Sequence, residues 1–423
     1  MAVLRLFVTC EMLVNMHELF GKYDFLWNQS ARISLDELFA AYYECRRNKR
    51  NTINSLAFEL DYESNIVQLC NEINTGRYSI GRSIAFIVDK PVKREIFAAD
   101  FRDRIVHHLI IRKLNPLFEK EFIYDSYSCR EGRGTLFGID RLKGFIRKCS
   151  RNYKDDCYIL KLDIRGFFMN IDKDILKEKL TIFIEEKYEG NDKDIILYLC
   201  NAVVSNNPAR NCIIKGRKSD WNGLPDDKSL FRTPVNCGLP IGNLTSQIFA
   251  NFYLNDFDHF IKHDLNIRYY GRYVDDFVIV HNDKSFLLNE AVPRIKEFLL
   301  EKLHLRLHPQ KIFLQYYSKG VKFIGAVVLP NRIYIANRTK GNFYKSIREH
   351  NLLVSHRKPF DLEIRHFQAS INSYLGIMKH CCSYRIRKNM LRRVVNGWWW
   401  NYLYVSGGYA KVVRKQKIIR RKF

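Results

Sequence analysis

The sequence has 423 residues, 47% of them hydrophobic, which is enough for a sizeable core in two or three domains. Lys and Arg outnumber Asp and Glu by 70 to 45, and the formal net charge of +25 indicates a polyanionic partner. No apolar run reaches the ~18 residues of a membrane span. The charge is also spread along the chain, so nucleic acid is favoured over a membrane. The eleven Cys residues form no CxxC pair, which excludes a zinc ribbon and indicates reduced thiols in a cytoplasmic protein.

The first part of the chain is predicted to be helical. Met1 to Leu13 is apolar and lacks a cleavage signal, so we interpret it as a packing helix. Ser34 begins a helix-cap pattern, and a second helix is expected from Asn54 to Asn74. A strand-like stretch then leads to a helix that starts at Phe101.

A loop rich in Gly and Arg follows from Ser126 to Thr135 and leads into a helix over Leu136–Arg147. Backbone N–H groups at a helix N-terminus attract phosphates. We therefore expect this loop, with Arg130 and Arg133, to lie against a phosphate backbone. His107 and His108 are adjacent on the preceding helix and do not share a face, so we assign them to packing or solvent.

Two carboxylate motifs stand out downstream. Tyr158–Leu162 is an apolar strand that ends at Asp163. Arg268–Tyr273 and Phe277–Val280 are rich in β-branched and aromatic residues, so they are predicted to form a hairpin with Asp275 and Asp276 at its tip. If these strands lie side by side, three carboxylates meet.

Clustered carboxylates repel one another unless cations neutralise them, and Mg²⁺ prefers carboxylates together with substrate phosphates. Two such ions activate a 3′-hydroxyl and stabilise a leaving pyrophosphate. With a basic cleft, this constellation predicts nucleotidyl transfer.

The remaining elements are predicted in outline. A helix over Asp194–Ser205 precedes a polar insertion, and a Gly/Pro turn at Cys237 leads into a long helix near Gly242 and Gln247. A helix is expected over Asn289–Lys302. Lys322–Val328 and the run 332–335 are expected to pair as a hairpin, and 342–397 to be helical. The tail from Trp398 has two open interpretations, packed aromatic residues with a basic end or a surface that stacks on bases.

These motifs resemble those of reverse transcriptases, in the same order along the chain. Tyr273-Val-Asp-Asp is similar to the catalytic hairpin of that family, and Leu162-Asp-Ile-Arg-Gly-Phe-Phe to its first carboxylate motif. Arg102-Asp-Arg-Ile-Val and Ser126-Tyr-Ser-Cys-Arg resemble motifs of the bacterial enzymes, and Phe323-Ile-Gly resembles the primer-grip hairpin. The likeness covers roughly residues 50–400 and is far more specific than any one motif.

The resemblance implies an α+β, right-hand polymerase with fingers, a palm built on an antiparallel sheet, and a helical thumb. The expected division is a helical extension (1–50), fingers (51–156), palm (157–335, with an insertion at 190–235), thumb (336–397) and an aromatic, basic tail (398–423).

The resemblance also implies roles for individual residues. Metal binding falls to Asp163, Asp275 and Asp276, with Lys311 as the further catalytic residue. Nucleotide contacts are expected from Lys93, Arg94, Phe168, Ile241, Gly242 and Gln247, with Phe168 excluding the ribose 2′-hydroxyl. Contacts to nucleic acid are expected from Arg130, Arg133, Lys379, Arg385 and Arg387.

One departure from the common pattern is informative. Most of the family has Gln-Gly followed by Ser-Pro where this chain has Ile241-Gly242 and Ser246-Gln247. This form resembles the reverse transcriptases of diversity-generating retroelements and related defence-associated bacterial groups. We hypothesise that Ile241, which cannot donate a hydrogen bond, lowers fidelity or changes template preference.

The prediction is therefore an RNA-directed DNA polymerase that uses two Mg²⁺ ions, with Mn²⁺ as a substitute. Its partners would be a structured non-coding RNA template, the nascent cDNA and dNTPs, without a membrane. An untemplated or protein-primed DNA polymerase, an RNA polymerase and an RNA-binding scaffold are the alternatives. Phe168 disfavours the RNA polymerase, and the intact carboxylate set disfavours the scaffold. The primer, an accessory protein and the oligomeric state are left open.

Overall fold

The computed structural model describes residues 32–47, 52–89 and 92–415. The helix predicted for Met1–Leu13, part of the 1–50 extension and the last basic residues of the tail lie outside these ranges. The first described helix begins after Ser34, whose hydroxyl accepts from the Glu37 N–H while the Glu37 carboxylate accepts from the Ser34 N–H. This reciprocal cap confirms the predicted helix start.

α-Helices are the main elements of the described chain. In order they are α1 (Leu35–Arg46), α2 (Ile53–Glu59), α3 (Tyr62–Asn74), α4 (Phe101–Glu121), α5 (Thr135–Cys149), α6 (Phe167–Asn170), α7 (Lys173–Lys187), α8 (Lys193–Ser205), α9 (Leu244–Tyr253), α10 (Asn255–His259), α11 (Lys284–Phe286), α12 (Val292–Leu303), α13 (Asn337–Leu353), α14 (Asp361–Met378) and α15 (Tyr384–Asn389).

Two helix predictions need correction. The single helix expected from Asn54 to Asn74 is divided into α2 and α3 at Leu60 and Asp61. The helix expected from Asn289 begins five residues earlier, because Asp283 accepts from the N–H groups of Ser285 and Phe286 and caps the segment there.

Strands from two distant parts of the chain form a three-stranded sheet. Strands β1 (Ser83–Val88) and β2 (Arg94–Ala98) are antiparallel, and β4 (Cys212–Ile214) pairs with β1 in parallel, in the order β2-β1-β4. The segment predicted as a polar insertion therefore supplies an edge strand to this sheet. This long-range pairing leaves no local pattern in the sequence.

The central sheet has four antiparallel strands in the order β5-β6-β3-β7. They are β3 (Tyr158–Asp163), β5 (Tyr269–Tyr273), β6 (Asp276–His281) and β7 (Phe313–Tyr316). One face carries Leu162 and Phe277 into the main core, and the opposite face carries Ile159 and Val278 into a second core that includes α5. Because both faces are covered, most strand positions are apolar, and Lys161 and Arg272 are charged exceptions.

A third sheet, β8 (Val321–Phe323), β9 (Ala326–Val328) and β10 (Ile333–Ile335), follows β7. The sequence predicted one strand over Lys322–Val328. The structure instead breaks it at Ile324 and Gly325, whose φ angles are +45° and +83°. The result is a three-stranded meander rather than a single hairpin.

The C-terminal helices α13–α15 pack around a core of their own. Trp399 is fully buried and stacks on Phe367 at 4.1 Å between ring centroids, whereas Trp398 is exposed. A hairpin of β11 (Leu403–Ser406) and β12 (Lys411–Arg414) closes the described chain. The tail is thus partly a packed hairpin.

Antiparallel sheets and segregated helices confirm the α+β prediction and fit a right-hand polymerase fold. In the part of the chain that the structure describes, every helix is too short or too polar to cross a membrane.

Candidate active site

The hairpin between β5 and β6 places two carboxylates at a tight turn. Tyr273 ends β5, Asp276 begins β6, and Val274 and Asp275 form the connection. Val274 has a φ of +58°, which is strained for a β-branched residue. Such strain costs of order 1–3 kcal/mol and persists only where surrounding contacts hold it.

Strand β3 brings the third carboxylate to the same place. Asp163 lies directly opposite Asp276 in the antiparallel register of β3 and β6. The Ile164 N–H donates to the carbonyl of Asp275 at 3.2 Å, which ties the end of β3 to the turn. The structure therefore brings Asp163, Asp275 and Asp276 together.

The electrostatics of the site disfavour three free negative charges. Burial, together with the negative charge of Asp163, raises the pKa of the Asp275 carboxyl to about 6. Burial also raises the pKa of Asp276 to about 6, although the amine of Lys161 opposes this shift. The site thus attracts cations strongly.

Two lysines supply positive charge. The Lys311 amine donates to Oδ1 of Asp163 at 2.8 Å, and the Lys161 amine lies 3.1 Å from Oδ2 of Asp276. Lys311 was among the predicted site residues, whereas Lys161 was not. Its position two residues before Asp163, on the same face of the strand, was the signal that could have revealed it.

The donor set fits a divalent metal ion. The Asp276 Oδ1 atom is buried without a hydrogen-bond partner, and carboxylate oxygens are the ligands that hard divalent cations prefer. Within the described ranges, no group of three or more His, Cys, Asp or Glu side chains is already arranged to hold a metal ion. The lysine amines instead contact two of the three carboxylates.

A second group of predicted residues packs against one apolar cluster. Phe168 and Ile241 are both half-buried against this cluster, which includes Phe97. The Phe97 N–H donates to the Ile241 carbonyl at 2.9 Å. A Cβ on Gly242 would lie 2.9 Å from Cγ2 of Ile96, and φ there is +127°, so this close approach requires glycine.

Residues 90–328 match the family described as "Reverse transcriptase (RNA-dependent DNA polymerase)", which is more than half of the chain. The chain belongs to the reverse transcriptase family. Members of this family generally use divalent metal ions, in agreement with the oxygen-rich site. The predicted enzyme class is therefore confirmed at the level of the family.

Curated relatives are distant and longer. The putative COX1/OXI3 intron 2 protein of Saccharomyces cerevisiae is 24% identical over 371 residues, which cover 75% of this chain and 41% of that protein. The mitochondrial nuclear intron maturase 4 of Arabidopsis thaliana is 23% identical over 230 residues, which cover 54% and 24%. The chain thus spans less than half the length of these relatives.

Among solved structures, apo telomerase from Candida tropicalis, truncated from its C-terminal domain, aligns with a TM-score of 0.45 and 16% identity, covering 61% of this chain and 55% of that one. Telomerase from Candida albicans, in complex with a TWJ fragment of telomeric RNA, aligns with a TM-score of 0.42 and 11% identity, covering 80% and 62%.

Three residues predicted to contact the incoming nucleotide have different surroundings. Arg94 is exposed, and its charge lowers the pKa of Asp275, which places it near the carboxylates. The Lys93 amine instead donates to the carbonyl of Asn222 at 2.7 Å, so it is turned towards the insertion. Gln247 is exposed and accepts a hydrogen bond from the Cys129 thiol at 3.1 Å.

Two arginines predicted to bind nucleic acid are occupied internally, which corrects that prediction. The Arg130 side chain is 4% exposed and donates to Glu119 and to the carbonyls of Ile123 and Ser126. Arg387 is buried and donates to Ser383. Neither guanidinium is available to a phosphate.

The other three residues predicted to contact nucleic acid are not buried. The Arg133 guanidinium lies over the ring of Tyr124 at 4.0 Å, and Lys379 and Arg385 are exposed. The structure does not bring this group together with the carboxylates.

Sequence reasoning also missed Arg272, whose side chain contacts the turn that carries Asp275. Its fully buried guanidinium pairs with both carboxylate oxygens of Asp258, at 2.7 and 2.6 Å. The third nitrogen donates to the carbonyl of Val274 at 3.0 Å. The strained residue before Asp275 is therefore held by a buried ion pair.

Proposed function

We propose that this protein is an RNA-directed DNA polymerase. The observation that carries the proposal is the meeting of Asp163, Asp275 and Asp276 at the ends of two adjacent strands, in a chain of the reverse transcriptase family. We also propose the division into fingers, palm and thumb at the boundaries predicted from the sequence.

The carboxylates would hold two Mg²⁺ ions, with Mn²⁺ as a substitute. When bound, the ions supply charge neutralisation for the attacking 3′-hydroxyl and the leaving pyrophosphate. Lys311, whose amine donates to Asp163, would protonate the leaving pyrophosphate. Lys161 would hold Asp276 in its orientation.

Phe168 and Ile241 would line the sugar and base of the incoming nucleotide, since both pack on the same apolar cluster. A bulky ring at Phe168 would exclude a 2′-hydroxyl and select dNTPs. Arg94 would contact the triphosphate. Lys93 would do so only after its amine leaves the Asn222 carbonyl.

We further propose that the template is a dedicated structured RNA, and that the enzyme makes cDNA in the cytoplasm. The net charge of +25 supports a nucleic-acid partner. The curated relatives are named for introns, which supports a structured RNA. The Ile241-Gly242 and Ser246-Gln247 pattern supports a role in a diversity-generating retroelement or in phage defence.

Primer extension on an RNA template tests the proposal. Wild-type protein with Mg²⁺ is expected to extend a DNA primer with dNTPs and not with NTPs, and an Asp275→Ala/Asp276→Ala variant is expected to give no product. Co-purified RNA is tested beside a generic template. Absence of product on both RNAs, or equal synthesis by the variant, would contradict the proposal.

A further inference from the structure

The C-terminal part of the chain has an extreme charge composition. Residues 379–423 contain thirteen Lys and Arg and neither Asp nor Glu. So many positive charges repel one another unless a polyanion neutralises them. The hairpin of β11 and β12 lies within this stretch and outside the catalytic sheet.

The hairpin is fixed to the helices by one of its faces. Leu403 and Val412 are fully buried in the core of the C-terminal helices. The side-chain amide of Asn372 on α14 accepts from the Val412 N–H at 2.7 Å and donates to the Val412 carbonyl at 2.8 Å. An isolated two-stranded hairpin is marginal in water, so this docking makes it a rigid platform.

The opposite face of the hairpin points away from the core. By strand alternation it carries Tyr404, with Lys411 on the neighbouring strand and Lys415 directly after that strand. Lys415 lies across from Tyr402, to whose carbonyl its N–H donates at 2.9 Å, and Lys411 lies across from Ser406. We call Tyr404, Lys411 and Lys415 the hairpin face.

The hairpin face combines a ring with cations. Tyr404 is 47% exposed although it is a large aromatic residue, and both lysines are exposed. Tyr402 precedes β11 and packs against the core of the C-terminal helices, so it is not part of this face. An exposed ring beside two amines matches an unstacked base beside its phosphates.

We propose that the hairpin face binds a single-stranded segment of RNA. A duplex hides its base faces in its own stack, so exposed rings favour single strands. Stacking on Tyr404 would supply contact to the bases, and Lys411 and Lys415 would neutralise the phosphates. The choice of RNA as the strand rests on the proposed function; the binding itself does not use the active site.

Fluorescence anisotropy of a labelled uridine dodecamer (rU12) tests the proposal. The full-length protein is first saturated with a chain-terminated RNA/DNA duplex, so that the polymerase cleft is filled. We expect Tyr404→Ala to weaken rU12 binding about 5- to 150-fold, the loss of one stacked base. Tyr404→Phe, which keeps the ring, is expected to bind like wild type. Tyr334→Ala removes a tyrosine of similar exposure on β10 and serves as the matched control.

Salt dependence tests the lysines separately. Each of Lys411→Gln and Lys415→Gln is expected to reduce the slope of log affinity against log salt by about 0.7, the loss of one single-strand phosphate contact. Lys345→Gln on α13, also exposed, is expected to leave the slope unchanged.

Several results would overturn the inference. They are equal rU12 affinity of Tyr404→Ala and wild type, loss of binding in Tyr404→Phe, tighter binding of dT12 than of rU12, or displacement of rU12 by phosphatidylserine vesicles. Primer extension by the same wild-type preparation reports on the polymerase proposal independently, so the two failures are distinguishable.

Discussion

Arg272 joins the buried core to the catalytic turn. Its guanidinium spans Asp258 and the carbonyl of Val274, one residue before Asp275. An Arg272→Lys variant keeps a positive charge beside Asp258 but lacks the planar fork that also reaches Val274. We expect kcat to fall about 10- to 100-fold because Asp275 is displaced, with little change in duplex affinity. Single-nucleotide incorporation with parallel duplex titrations measures both.

The strain at Val274 offers a specific rescue of that variant. Glycine adopts a φ of +58° without steric cost. Adding Val274→Gly to Arg272→Lys is therefore expected to recover part of the lost kcat. If Arg272 served only the stability of the core, Val274→Gly would restore nothing, and that outcome would refute a positioning role.

We expect substitution of Ile241 to change the accuracy of DNA synthesis. Its side chain faces the apolar cluster shared with Phe168, and its carbonyl is already bonded to the Phe97 N–H. Ile241→Gln adds a hydrogen-bonding side chain at this cluster without touching that backbone bond. We expect fewer misincorporations in a sequenced-product assay, with extension on matched template retained. An unchanged error rate would rule out this explanation.

At the scale of elements, hydrogen bonds join the insertion (190–235) to β2, the strand that carries Arg94. The buried Glu95 carboxylate accepts from the Trp221 Nε1–H at 2.7 Å, from the Ser229 hydroxyl at 2.7 Å and from the Leu230 N–H at 2.6 Å. Three donors converge on one side chain, so the insertion and β2 behave as a unit.

In a Glu95→Gln variant, the side-chain NH₂ group would face N–H and O–H groups that now donate to the carboxylate. We expect Glu95→Gln to lower the free energy of unfolding by about 1–3 kcal/mol and to raise KM for dNTPs, since β2 also carries Arg94. Urea unfolding and steady-state kinetics measure these effects. The exposed Glu301→Gln should change neither. Loss of stability with an unaltered KM would restrict Glu95 to a structural role.

His107 links α4 to the start of α9. Its Nδ1 lies 2.6 Å from the Thr245 hydroxyl, and burial lowers the pKa of the imidazole to about 3. The unfolded chain, with a pKa of about 6.5, binds the proton more readily. The folded state therefore loses stability as pH falls below that value, by about 1.4 kcal/mol per pH unit.

A non-titrating replacement isolates this effect. The advantage of wild type over His107→Asn in the free energy of unfolding should shrink by about 2 kcal/mol between pH 6.5 and 5. Urea titrations at the two pH values measure it, with the exposed His356→Asn as a control. A difference that does not vary with pH would mean that His107 titrates normally.

The sequence predicted the carboxylate strands because their signals are local. Apolar runs ending at Asp163 and flanking Asp275 and Asp276 define strand, turn and strand without tertiary information. Lys161 was missed because its partner depends on the register of β3 and β6. Arg272 was missed because only burial opposite Asp258 separates it from the other basic residues.

The same limit explains the errors among basic residues. Local sequence does not show whether an arginine points outward, and Arg130 and Arg387 turn inward to satisfy Glu119 and Ser383. The strand β4 was also invisible, because its pairing with β1 joins segments more than a hundred residues apart.

At the scale of the molecule, two of the sheets contribute residues to the candidate site. The sheet of β1, β2 and β4 supplies Arg94 and the Phe97 N–H that binds the Ile241 carbonyl. The central sheet and its β5–β6 turn supply the three carboxylates. The C-terminal helices and their hairpin add a basic surface outside this site. We propose that the three carboxylates catalyse the copying of RNA into DNA.

Incorporation of a single nucleotide on a defined RNA template tests that claim most directly. Each of the four dNTPs is offered separately to wild-type protein and to Asp275→Asn, which preserves the shape of the side chain. We expect wild type to extend the primer only with the complementary dNTP. We expect Asp275→Asn to lose activity by at least about 100-fold because it lacks one metal-binding oxygen. Equal use of all four dNTPs, or an active Asp275→Asn protein, would contradict that claim.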